Sequence, residues 1–165
     1  MAIVSDAFAR GRSYSASLDI ESPAEDAFEL LCAVEKWPVW LSFLRSAKIA
    51  EPASPLGLGS EVIVRSSLPG DEEQLFEVDQ FISNYHLSLV GAYSVRRKLD
   101  FRIEQKTSRA RIHVRLVYPA YGGRMGALMD RLRRGRKLQR NLDDALVHFK
   151  GLVEYRSSDG AVRDL

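Results

Sequence analysis

Arg97 sits where its chemistry matters most. Between Val95 and Ile103 the side chains alternate: Val95, Leu99, Phe101 and Ile103 share one strand face, and Arg96, Lys98, Asp100 and Arg102 share the other. Arg97 falls in phase with the apolar set. An unpaired buried charge is strongly unfavourable, so this guanidinium needs a partner. Either it lines a cavity and meets a carbonyl, enolate or carboxylate of a ligand, where it would stabilise developing negative charge, or a bulge or strand end turns it outward. Glu77 and Asp79 raise the same question, because both alternating sets of Leu75–Phe81 mix apolar and polar residues. With Phe76 and Val78 facing in, the arrangement we favour, the two acids are solvated. With Leu75 facing in, they enter the interior as candidate general bases. Tyr93 and Tyr118 offer hydroxyls at a cavity wall, or serve as core.

Known catalytic and metal motifs are absent from the chain. It has no Cys-x-x-Cys, no His-Glu-x-x-His and no acidic calcium loop, so no metal is expected. Gly122-Gly123-Arg-Met-Gly126 lacks the first glycine of a dinucleotide fingerprint and follows no parallel βαβ pattern, and no Gly-x-Ser-x-Gly elbow occurs. No cofactor is expected either. His86 and His113 fall on polar strand faces and His148 lies beside a helical stripe, so each reads as a solvated surface residue.

The elements that must position these residues follow from periodicity. Tyr14, Ala16, Leu18 and Ile20 alternate with Ser13, Ser15, Ser17 and Asp19, which predicts a half-buried strand. Ser22-Pro23-Ala24-Glu25 then predicts a helix over about residues 23–33, with Ser22 as cap and Glu25 closing a capping box. Glu35–Leu41 forms a second short helix or turn anchored by Trp37 and Trp40. Six strands follow: Ser46–Glu51, Ser60–Ser67, Glu73–Ile82, His86–Ala92, Ser94–Gln105 and Ser108–Tyr118. In the last, Ala110, Ile112, Val114, Leu116 and Tyr118 oppose Arg109, Arg111, His113 and Arg115, as in an antiparallel sheet covered on one side.

The cover comes at the end of the chain. A helical pattern runs from about Arg124 to Glu154, with Met125, Leu128, Leu132, Leu142, Leu146, Phe149 and Val153 as its apolar stripe. At ~1.5 Å per residue it spans roughly 45 Å, enough to cross a sheet. Gly135 and Gln139 interrupt the stripe, which provides either room and a hydrogen-bonding group over a cavity or ordinary packing tolerance. Six of the ten residues in Arg131–Arg140 are Lys or Arg. That cluster reads as a solvated helix face, with contact to an anionic membrane surface, an acidic partner or RNA as the alternatives. No stacking aromatics are interleaved with it, so nucleic acid is not expected.

The chain of 165 residues suits one domain, over residues 13–155, with a loose leader (1–12) and a frayed polar tail (156–165). A formal net charge of +2 argues against wholesale nucleic-acid binding. Cys32 is the one cysteine, so no internal disulfide forms. No signal peptide and no run of ~20 apolar residues is present, and a cytoplasmic location is expected.

The order strand, two short helices, six strands, long helix resembles the helix-grip fold of the START-like polyketide cyclase and lipid-transport superfamily. Leu18–Trp40 (LDIESPAEDAFELLCAVEKWPVW) is similar to that family's opening, and Leu146–Glu154 (LVHFKGLVE) to its closing helix. The resemblance covers about residues 13–155 and rests on scaffold residues. It implies an α+β fold, a curved antiparallel sheet of about seven strands gripping a long C-terminal helix, with a cavity between them. The cavity would be lined by Arg97, Tyr93, Leu99, Phe101, Val114, Tyr118, Leu132, Gly135, Gln139 and Leu142. Family members bind lipids, sterols, quinones, polyketides or plant hormones, and some close or dehydrate polyketide rings. The expected function is therefore binding of an apolar small molecule, as carrier or sensor. The alternatives are a polyketide cyclase/dehydratase and a protein or RNA interaction module using the basic helix.

Overall fold

The computed structural model describes residues 11–67, 73–119 and 126–163, with backbone alone at 11, 94–96, 118–119, 126–134 and 160–163. Seven antiparallel strands, β1 (Gly11–Ile20), β2 (Leu44–Ile49), β3 (Glu61–Ser66), β4 (Gln74–Ile82), β5 (His86–Gly91), β6 (Ser94–Gln105) and β7 (Ala110–Pro119), form one sheet in the order β1-β7-β6-β5-β4-β3-β2. Helix α1 (Ala24–Cys32), a 3₁₀ turn (Val34–Lys36) and helix α2 (Trp37–Trp40) join β1 to β2, and helix α3 (Gly126–Arg163) closes the chain. This is the α+β architecture expected from the alternation and from the long apolar stripe.

Bulges curve the sheet. The register shifts between Leu44 and Ser46, between Val78 and Gln80, and between Val90 and Gly91. An extra residue on one strand bends it and increases the local twist. The bulge at Asp79 also switches the strand's phase. Phe76 and Val78 face the core before it, and Phe81 does so after it, packed edge-on at 5.5 Å against Phe28 of α1. Glu77 is therefore exposed, and Asp79 is half-buried on the outer face beside Lys98, at 3.2 Å.

The concave face holds the core. Phe101 lies under Trp37 and Trp40, and Trp40 packs edge-on against Phe149 of α3 at 4.7 Å. All four are fully buried. Fully burying one such side chain contributes about 1.5–3 kcal/mol, and each aromatic pair adds about 0.5–1.5 kcal/mol. The Trp37 indole donates to the Leu31 carbonyl at 2.8 Å, which fixes α1 relative to α2.

Two local expectations change. Ser22 does not cap α1: its hydroxyl meets Ser157 Oγ at 2.7 Å, and the Ala24 amide donates instead to Gln105 Oε1 at 2.7 Å. A side chain from the sheet thus replaces the local capping box. The C-terminal helix also does not end near Glu154 in a frayed tail but continues to Arg163. Its last turns dock on α1, with Ser157 Oγ donating to Asp26 at 2.7 Å and Arg156 pairing with Glu29 at 2.6 Å.

Helix α3 also guards the free edge of β1. Gln139 Nε2 donates to the Ser15 carbonyl at 2.9 Å, Lys150 Nζ to the Asp19 carbonyl at 2.9 Å, and the Glu21 amide donates to Glu154 Oε1 at 2.7 Å. Lys150 and Glu154 pair at 2.6 Å. Partial burial disfavours the Glu154 carboxylate. The Lys150 ammonium and the Glu21 amide outweigh that and hold its pKa below the ordinary value.

Candidate functional site

The antiparallel order brings the start of β1, the β3–β4, β5–β6 and β7–α3 connections and the start of β2 to one end of the sheet. At this end the concave face keeps a small, partly enclosed space among the described residues. Val64, Phe76, Leu99 and Leu116 supply its apolar wall, with Phe43, Leu44 and Val117 around them. Ser66, Gln74, Arg97 and Lys98 supply its polar groups. The free volume is about 10 Å³, room for about one water.

Each polar group has a different status. Ser66 Oγ donates to the Phe43 carbonyl at 3.3 Å. Lys98 reaches Asp79. Arg97 follows the irregularity at which Gly91 faces Ser94 while Val90 faces Lys98. It is half-buried there and borders both the enclosed space and an outer groove with Leu75 and Tyr93. Arg97 thus lies beside a bulge and borders the space. Gln74 is different. It pairs with Val64 across β3 and β4 and so faces inward, and its side-chain nitrogen is buried with no hydrogen-bond partner.

The expected lining residues separate into groups. Leu99 and Arg97 border the space. Phe101, Val114 and Leu142 are buried but fill the core rather than line it. Tyr93 does not stand at an interior wall: it is 91% exposed in the β5–β6 turn. Gly135 and Gln139 face β1. A Cβ on Gly135 would lie 3.3 Å from the Tyr14 hydroxyl, so a tyrosine ring takes the room left by the glycine. Gln139 is held by the Ser15 carbonyl. The side chains of Tyr118 and Leu132 lie outside the described residues. Gln74 escapes the sequence reading because the Asp79 bulge scrambles the alternation; its in-phase spacing with Phe76 and Val78 is the signal that marks it.

The outer face carries a second polar cluster. Ser17 Oγ lies 2.7 Å from His113 Nδ1, and His113 Nε2 lies 3.5 Å from Glu104, along an open groove of about 360 Å³. Lys106, and then His113, hold the Glu104 carboxyl below its ordinary pKa. The order serine, imidazole, carboxylate is that of an activated nucleophile. Here β7 and β6 are paired on both sides and the unpaired edge of β1 is turned toward α3, so the cluster sits on a flat ladder with no described turn or helix N-terminus beside it to converge amides on an oxyanion. These contacts act as cross-strand pairs. His86, expected to be solvated, is instead buried on this polar face, 3.2 Å from Asp100, which Arg102 also contacts at 3.3 Å. Among the described residues no group of three His, Cys, Asp or Glu could hold a metal ion. Nor is any described helix long and apolar enough to cross a membrane.

Solved structures share this architecture. A protein of Thermus thermophilus superposes with a TM-score of 0.71 at 15% identity, over 88% of this chain and 99% of that one. The ZhuI aromatase/cyclase of Streptomyces sp. R1128 gives 0.70 at 13% identity, over 89% and 96%. A START superfamily protein of Mycobacterium smegmatis gives 0.63 at 15% identity, over 87% and 97%. The chain has the START-like helix-grip fold. No family model and no curated protein sequence matches it. At these identities the START-like likeness is one of backbone, so residue roles in this helix-grip chain rest on its own geometry.

Proposed function

We propose that this helix-grip protein binds an apolar small molecule at the open end of its concave face, as a carrier or sensor. The supporting observation is the enclosed space there, walled by Val64, Phe76, Leu99 and Leu116 and edged by a few polar groups. Ligand sites have that composition. A ring-closing reaction, suggested by the likeness to an aromatase/cyclase, needs a group that moves protons. Arg97 and Lys98 are the ionisable groups among the described lining residues, and both are already engaged by partners within the protein. Binding is therefore the better-supported reading.

A drug-sized ligand occupies several hundred Å³, far more than the 10 Å³ left. Entry thus requires the wall to move. The test is native mass spectrometry of the freshly purified protein followed by organic extraction, with Leu99→Trp as the blocked variant. A co-purifying apolar molecule that is absent from the variant supports the reading. A ligand-free mass that persists after incubation with fatty acids, quinones and aromatic polyketides overturns it.

The same reading gives the basic helix a use. Arg136, Lys137 and Arg140 are exposed on the part of α3 that faces the start of β1, at the open end of the sheet. This placement suits contact with an anionic membrane surface during ligand exchange. Sedimentation with vesicles containing phosphatidylglycerol, lost on reversing these three charges, tests it. Binding that is indifferent to lipid charge refutes it.

A further inference from the structure

The ligand's polar end is legible in Gln74. We infer that the molecule held at the open end presents one uncharged acceptor oxygen, a ketone or quinone carbonyl, to the Gln74 side-chain amide. This inference rests on the binding reading above and names the chemistry of its ligand.

Three observations converge. The Gln74 nitrogen is buried without a partner. A buried donor left unsatisfied is destabilising, so a strand that places one on its inner face gains only if an acceptor arrives. Gln74 lines the enclosed space, and its neighbours Val64 and Phe76 offer no acceptor side chain. The space is about 10 Å³, which takes one water or one oxygen atom of comparable size. A carboxylate brings two oxygens and a charge. The two cations on this wall, Lys98 and Arg97, already have partners within the protein. A single neutral carbonyl satisfies the amide, and the wall that yields to admit the ligand leaves its apolar body against Leu99 and Leu116.

The experiment compares 1-indanone with indane, which has the same ring system without the oxygen. Two-dimensional ¹H–¹⁵N spectra of the full chain, with the Gln74 side-chain amide assigned by glutamine-selective labelling, follow the titrations. Indanone should shift the Gln74 amide pair and bind about five-fold more tightly than indane, the usual effect of one neutral hydrogen bond. In Gln74→Leu, which keeps the volume, the advantage should vanish while indane still binds. If both compounds bind but the Gln74 amide does not move in the unaltered protein, the inference is overturned and the binding reading stands. If neither binds, the binding reading fails and takes the inference with it.

Discussion

Gly135 and Gly151 of helix α3 have different surroundings, and replacing each with alanine isolates the contact made at the first. A helical glycine costs about 1 kcal/mol relative to alanine. At Gly151 a new Cβ meets nothing within 4 Å. Gly151→Ala should therefore gain the whole of that, about 1 kcal/mol. At Gly135 the new Cβ would stand 3.3 Å from the Tyr14 hydroxyl and 3.6 Å from Cε1 of the same ring. The first distance is tight by a few tenths of an ångström. The crowded atom is the tip of a side chain, so it yields at a cost of roughly 0.5 kcal/mol, comparable to a modest off-rotamer shift. Gly135→Ala should then gain about half as much as Gly151→Ala, and Tyr14→Phe in the same chain should restore the rest. Urea unfolding followed by the fluorescence of the buried Trp37 and Trp40 measures all four proteins. For a chain of this size 1 kcal/mol corresponds to roughly 2–4 °C in Tm. A Gly135→Ala protein destabilised by more than about 1 kcal/mol and not rescued by Tyr14→Phe would refute this reasoning. The glycine would then be serving something other than the tyrosine ring.

Three further outcomes follow from contacts already described. Lys150→Met should cost about 1–2 kcal/mol, since it removes a charged donor from the Asp19 carbonyl and from Glu154; a double-mutant cycle with Glu154→Gln in urea should show coupling between the two. Arg111, through its hydrogen bonds, holds the Asp19 carboxyl below its ordinary value of 3.8. That stabilisation is present above 3.8 and is lost as the pH falls through the lower folded value, so an NMR titration should place the Asp19 midpoint below 3.8 and Arg111→Met should raise it. Burial pushes the Cys32 thiol from 9.0 to about 11, leaving about 100-fold fewer thiolates at pH 8; alkylation should be correspondingly slow in native protein and fast in urea.

The regular parts of this molecule are readable in its sequence. The alternation at Leu99, Phe101 and Ile103, and at Ala110, Ile112, Val114 and Leu116, matches the buried positions of β6 and β7. Those strands pair without interruption from Lys98 to Gln105, so a period of two holds throughout. What escapes lies at irregularities. Asp79 inserts one residue and exchanges the faces of β4, which is why Leu75–Phe81 reads as mixed in either phase and why Gln74 does not stand out. Gly135 and Gln139 are visible as breaks in an apolar stripe, but their reason is the neighbouring strand: Tyr14 needs the room and the Ser15 carbonyl needs a donor. Periodicity reports which side of an element is covered and not by what. The buried state of His86 is likewise a matter of neighbours, since Asp100 and Arg102 on the adjacent strand close over a face that reads as polar.

The side chains that α3 lays along β1 have a consequence for how copies of this chain can meet. An unguarded sheet edge is a template on which another strand can polymerise. The outward carbonyls of Ser15 and Asp19 on β1, and the amide of Glu21 just after it, are already occupied by groups on the same helix. A foreign strand would have to strip away Gln139, Lys150 and Glu154 together before its first ladder bond could form. At the opposite edge, β2, Arg45 and Lys48 stand exposed as charged deterrents. Strand addition thus meets a bonded helix at one edge of the sheet and exposed charge at the other.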